Sequence, residues 1–252
     1  MFIGSIASYL ETFSAESVSF FTLICCYIAI VIALRQWREA GLYIYSAIAV
    51  IACNIQVLTA AFFSALKEPI ALGTVIYTSI FLVNDILTER FGSHVAKKCV
   101  LLSFFSTVLL LVFMTMTLAY KPLPYNQEYA KFIDGRHAVE VLFSPNLSIL
   151  LASQIAYLTS QWCDIMIFAR LRAISTQFLW LRSFFSVALG ALIDTLIFNG
   201  LAWQLFSHEP VSMKSLINHY ILGSYVLQLL ISLCNIPIFY FILHLERLEP
   251  KK

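Results

Sequence analysis

Charge is scarce in this sequence. Asp, Glu, Lys and Arg make up 12% of its 252 residues, where soluble domains carry roughly a quarter. Apolar residues reach 60%, more than a water-soluble fold of this size can hide. The remaining solvent is lipid. A formal net charge of only +2 gives no electrostatic footprint for nucleic acid. Catalytic signatures are missing as well. There is no H-E-x-x-H, no G-x-S-x-G and no G-x-x-x-x-G-K-[ST], so neither enzyme chemistry nor ATP hydrolysis through a P-loop is expected. Six cysteines (Cys25, Cys26, Cys53, Cys99, Cys163, Cys234) lie in or beside apolar runs. They form no C-x-x-C pair and have no nearby His, so they read as small apolar side chains and no metal or cofactor is expected. Met1 to Glu16 contains no Lys or Arg, which argues against a cleaved signal and for a retained first helix.

What the sequence does contain is long hydrophobic runs. Seven could cross a hydrocarbon core of roughly 30 Å: Ser17–Leu34, Gly41–Leu66, Ile70–Arg90, Val100–Tyr120, Leu147–Ala169, Arg182–Phe206 and Ile217–Leu243. They are continuous, not alternating, which predicts an all-α polytopic bundle and not a β-barrel. With the N-terminus outside, eleven of the sixteen basic residues fall on the cytoplasmic side, the asymmetry expected of cytoplasmic loops. The C-terminus is then cytoplasmic. The connection Lys121–Asn146 holds Pro122, Pro124, Gly135 and Pro145. It reads as a broken surface segment, either a plain loop or a flap over one face.

Polar side chains inside the spans are costly, and they usually face a protein interior or a wet cavity. Span two carries Asn54 and Gln56. Span three ends with Asn84, Asp85, Glu89 and Arg90, with Asp85 and Glu89 one turn apart. Gln154, Gln161 and Asp164 form one stripe on span five. Span six has Arg182, Ser186, Gly190 and a mid-span Asp194. Span seven has Ser224, Gln228, Ser232 and Asn235. A cavity between these five helices would collect them. Plainer roles compete. Ser186 and Gly190 suit close helix packing, Gln228 and Asn235 interhelical hydrogen bonds, Arg182 and Arg90 snorkelling, and Asp85, Glu89 and Arg90 a surface cluster. Asp194 is hardest to explain by packing alone.

Three segments carry a resemblance. Phe81–Gly92 (FLVNDILTERFG), Ser153–Arg172 with Gln161 and Asp164, and Leu179–Asn199 with Arg182, Ser186, Asp194 and Thr195 look like the motifs of the queuosine precursor transporter family, also called the vitamin uptake transporter family. Asn54 falls where that family has a polar Asn. The resemblance spans most of Gly41 to Leu243. It implies a multi-pass transporter of the bacterial inner membrane that imports 7-deazaguanine bases (7-cyano-7-deazaguanine, 7-aminomethyl-7-deazaguanine or queuine) for transfer RNA. It further implies a six-helix core (41–243) resembling the substrate-binding subunits of energy-coupling-factor transporters, preceded here by an extra helix (17–34). On such a base, a carboxylate suits the paired N–H and NH₂ donors, and Asn54, Gln161 or Arg182 could donate to the carbonyl. Trp162, Trp180 and Tyr157 are candidates for stacking. The rival reading is a binding subunit that needs a separate ATPase module, docked on small residues such as Cys25, Ala29 and Ala33. A homodimer is favoured over a monomer.

Overall fold

The computed structural model describes residues 8–64, 69–143, 147–206, 213, 216 and 221–247. The long helix α1 (Ala15–Gln56) is two antiparallel arms folded back at Arg38, which adopts φ 52° and ψ −131°. L-residues avoid that region, so the reversal is held by packing. Gly41 makes the close approach feasible, since a Cβ there would lie 2.2 Å from the Ala33 carbonyl oxygen. At the far ends of the arms, the Ser64 backbone N–H and hydroxyl both donate to the Glu16 carboxylate. Ser14 caps the first arm, its hydroxyl accepting from the Ser17 N–H at 3.3 Å, which satisfies an otherwise orphaned helix-end donor.

The remaining helices are α2 (Thr74–Arg90), α3 (Ser93–Ala119), α4 (Ala130–Phe143), α5 (Leu147–Ile174), α6 (Leu179–Gly200) and α7 (Leu222–Arg247). A π-helical turn, Leu201–Leu205, extends α6. Among the described residues, four helices are long and apolar enough to cross a membrane: α1, α3, α6 with its extension, and α7. Shorter α2 is the core of the bundle, with every residue from Thr74 to Thr88 except Ile76 and Tyr77 buried.

Burial is inverted relative to a soluble protein. Leu101, Phe105, Leu109, Phe113 and Met116 on α3 are exposed, while Asn84, Asp85, Gln161, Asp164 and Arg182 are buried. Exposed apolar side chains along the full length of a helix are the signature of a lipid-facing surface. The protein is an all-α membrane helix bundle.

Three expectations change. Span two does not run to Leu66 as helix, and span three does not begin at Ile70. The chain between them forms a short antiparallel pair, β1 (Ala60–Phe62) with β2 (Pro69–Ala71), Ala61 opposite Ile70. Gly135 does not interrupt its segment, because it lies within α4. That helix is tied down by Arg136, whose guanidinium donates to the Leu118 and Tyr120 carbonyls at 3.0 and 2.7 Å and pairs with Glu140 at 2.7 Å. It thereby satisfies carbonyls at the α3 C-terminus. The first arm of α1 also packs within the bundle. Leu23 meets Val75 and Ile231, and the Tyr27 hydroxyl donates to Asn235 Oδ1 at 2.8 Å.

Candidate functional site

Toward the end of the bundle that holds β1 and β2, five helices diverge around a cavity of about 520 Å³. This is within the usual range for small-molecule sites. The second arm of α1 contributes Asn54, α2 Tyr77, α5 Ser153, Gln154 and Tyr157, α6 Asp194 and Asn199, and α7 Gln228. Each reaches the cavity because it lies within about three turns of its helix end. Gly73 lets α2 start against α1, where a Cβ would come 2.6 Å from the Cys53 carbonyl oxygen.

The walls carry unsatisfied hydrogen-bonding capacity. Asn54 Oδ1 accepts from Ser153 Oγ at 2.7 Å, but its Nδ2 has no partner among the described residues. Both polar atoms of Gln154 and Gln228 Oε1 are likewise unpartnered, and all are buried. Buried polar groups are nearly always paired, so a cluster of exceptions needs a reason. Asp194 is partly exposed to the cavity. Its Oδ1 accepts from the Tyr77 hydroxyl at 2.5 Å and from Ser160 Oγ at 3.3 Å.

The expected single cavity is two separate polar layers. Asn54, Gln154, Asp194 and Gln228 line the cavity; Asn84, Asp85, Glu89, Gln161, Asp164 and Arg182 do not. Gln154 and Asp164 share a stripe but are ten residues apart, about 15 Å along the axis, so the same face serves two depths. Asn235 takes the packing role, accepting from Tyr27 and donating to the Thr78 carbonyl at 3.3 Å.

The second layer closes the opposite, basic end. Glu89 Oε2 lies 3.1 Å from Arg182 Nη2 and 3.3 Å from Arg172 Nε, pinning α2 to α6 and α5. Arg172 also donates to the Thr88 carbonyl at 2.8 Å. Arg182 is 2% exposed, stacks 5.3 Å from the Phe168 ring and donates to the Ser175 carbonyl at 3.3 Å. It is a buried clamp, not a snorkelling residue. Ser183 donates to Asp85 Oδ2. Gly190 lets α6 approach, since a Cβ there would lie 2.9 Å from the Phe81 ring and 3.1 Å from Asp164 Cβ.

A hydrogen-bond chain joins the two layers. Asn84 Nδ2 donates to Gln161 Oε1 at 2.6 Å, Gln161 Nε2 to the Tyr77 hydroxyl at 3.4 Å, and Tyr77 to Asp194. Sequence reasoning missed Tyr77. It stands seven residues before Asn84, two turns along one face, and that spacing was the available signal. Of the aromatic candidates, Tyr157 lines the cavity. Trp162 instead lies under Lys97 at 5.2 Å, and Trp180 is exposed. None of the residues 127–143 lines the cavity, so α4 is not a flap over it.

Residues 71–242 match the family described as "Putative vitamin uptake transporter", a match that starts later than the expected resemblance from Gly41. Over 223 residues the chain is 30% identical to the "Probable queuosine precursor transporter" of Bacillus subtilis, covering 87% of this chain and 91% of that protein. A protein of the same description from Haemophilus influenzae is 25% identical over 131 residues, 52% of this chain and 51% of that one. No solved structure matches the chain. With the family match spanning α2 to α7 and the Bacillus relative aligned over most of the length, this chain belongs to the vitamin uptake, or queuosine precursor, transporter family of multi-pass membrane proteins.

Proposed function

We propose that the protein imports queuosine precursors, 7-deazaguanine bases destined for transfer RNA, across the bacterial inner membrane. The observation that carries this reading is the cavity wall. Amide, hydroxyl and carboxylate groups from five helices stand there unpaired or partly exposed beside the aromatic surface of Tyr157 and Phe198. A flat base with donors and acceptors around its rim is the kind of ligand that such a wall suits. Asp194 is the group to accept the paired N–H and NH₂ donors. Gln154, with both a donor and an acceptor unpaired, can take an amide edge side by side.

The chain is read as crossing the membrane seven times, N-terminus outside and C-terminus cytoplasmic. The last six crossings would form the core that resembles an energy-coupling-factor binding subunit. In that orientation the cavity faces outward and the Glu89–Arg172–Arg182 cluster seals the inner end. Import then needs that ionic cluster to part while the outer end closes.

The test is rescue. In cells unable to make queuosine, expression should restore the modified base in transfer RNA at nanomolar external precursor, with no ATPase subunit added. Rescue only with a co-expressed ATPase module would favour the binding-subunit alternative. No rescue with any of the three bases would refute the substrate assignment.

A further inference from the structure

The closed layer holds three acids, Asp85, Glu89 and Asp164, against two guanidinium groups, Arg172 and Arg182, and Glu89 engages both. Asp85 accepts from Ser183 on one oxygen, but its Oδ1 is unpartnered. Asp164 is 0% exposed, and neither of its oxygens has a hydrogen-bond partner of normal geometry among the described residues. The Ser186 hydroxyl stands beside it but donates to the Ser183 carbonyl at 3.2 Å. Asp85 is close enough to Asp164 for their charges to interact. On the same face of α2, Asn84 Oδ1 and Thr88 Oγ1 are also buried and unpartnered. Five buried oxygen atoms thus lack a donor.

Arg182 attracts Asp85 across the layer, but among the described residues no basic side chain forms an ion pair with Asp164. Arg182 on α6 and Arg172 on α5 are held by Glu89. From α3, Lys97 sits over the Trp162 ring, about 200° round α5 from Asp164. From α7, Phe239 meets Phe168, with ring centroids 6.2 Å apart.

We propose that Asp164, with Asp85, is a monovalent-cation site that couples base uptake to inward movement of a proton or sodium ion. An ionised carboxylate without partners in a carbon-lined interior is far costlier than one bearing a proton or a bound cation. Two acids sharing such a site do not both ionise unaided. The site is separate from the base cavity, yet joined to it through Asn84, Gln161 and Tyr77. Occupancy on one side can therefore be sensed on the other. When the inner cluster parts, water reaches the carboxylates, and the cation meets the cytoplasm and leaves. The inference rests on the reading of the chain as an importer of bases.

The experiment uses the full-length chain in liposomes with radiolabelled 7-cyano-7-deazaguanine. An inward proton gradient, or an inward sodium gradient, should drive accumulation above the equilibrium level. Asp164→Asn should reduce that accumulation at least tenfold, and Asp164→Glu should restore part of it. Proton coupling predicts loss of accumulation with a protonophore, and sodium coupling predicts loss on replacing sodium with potassium. Accumulation that ignores both gradients in the unaltered protein overturns the proposal without needing any variant. A second readout does not depend on the base. The ligand-free protein should show either the infrared carbonyl band of a protonated carboxyl or a sodium-specific rise in melting temperature. Asp164→Asn should abolish it, and absence of both signals overturns the cation site even if the protein carries a different ligand.

Discussion

Replacing Gln154 by methionine separates the stability of the cavity from its use. The side chain is 4% exposed, and both its amide nitrogen and its oxygen lack partners in the described structure. A buried polar group without a partner costs about 1–3 kcal/mol. Methionine has nearly the same length and volume with no such requirement, so Gln154→Met should stabilise the ligand-free protein by about 1–2 kcal/mol, within that range. For a chain of this size that is a rise in melting temperature of about 2–8 °C. Ligand binding should move the other way. Two neutral hydrogen bonds at about 1 kcal/mol each correspond to a loss of roughly 30-fold in affinity. Detergent-solubilised protein serves both measurements, melting by intrinsic fluorescence and binding by calorimetry with 7-cyano-7-deazaguanine. A lower melting temperature with unchanged affinity would refute the reasoning, because Gln154 would then be paired in the resting protein and absent from the ligand's contacts.

Three further outcomes are expected. Asp194→Asn keeps shape but removes the charge that faces the cavity; uptake per molecule in the membrane should fall at least tenfold, since a hydrogen bond to a charged group contributes roughly 1.5–3 kcal/mol, and unchanged uptake would remove Asp194 from the site. Glu89→Gln leaves Arg182 buried without its counter-charge; losing one member of such a pair costs about 3–5 kcal/mol, so the amount of folded protein in the membrane should drop, as immunoblotting of membranes would show. A fluorescent protein fused to the C-terminus should glow and alkaline phosphatase fused there should be inactive, and the reverse pattern would overturn the cytoplasmic placement.

The membrane character, the helical class and the positions of the polar residues were legible in the sequence because each depends on local composition. A continuous apolar run has one stable backbone solution in lipid, and an Asp or Gln within it has to face protein. Helical periodicity also placed Gln154, Gln161 and Asp164 on a common face. Periodicity reports the angle around an axis, however, and not which helix lies opposite or at what depth. Only the tertiary structure could therefore divide one polar stripe into a cavity wall at Gln154 and a closed layer at Asp164. It alone could pair Asn235 with Tyr27, 208 positions away, and turn Arg182 inward onto Glu89 and Phe168. Tyr77 is a case of the same kind, since its spacing from Asn84 marks a shared face but not the Asp194 and Gln161 that tertiary packing brings to its hydroxyl. The fold-back at Arg38 depends on packing too. Nothing in the local sequence favours φ 52° at an arginine, and the conformation persists because Gly41 lets the two arms of α1 touch.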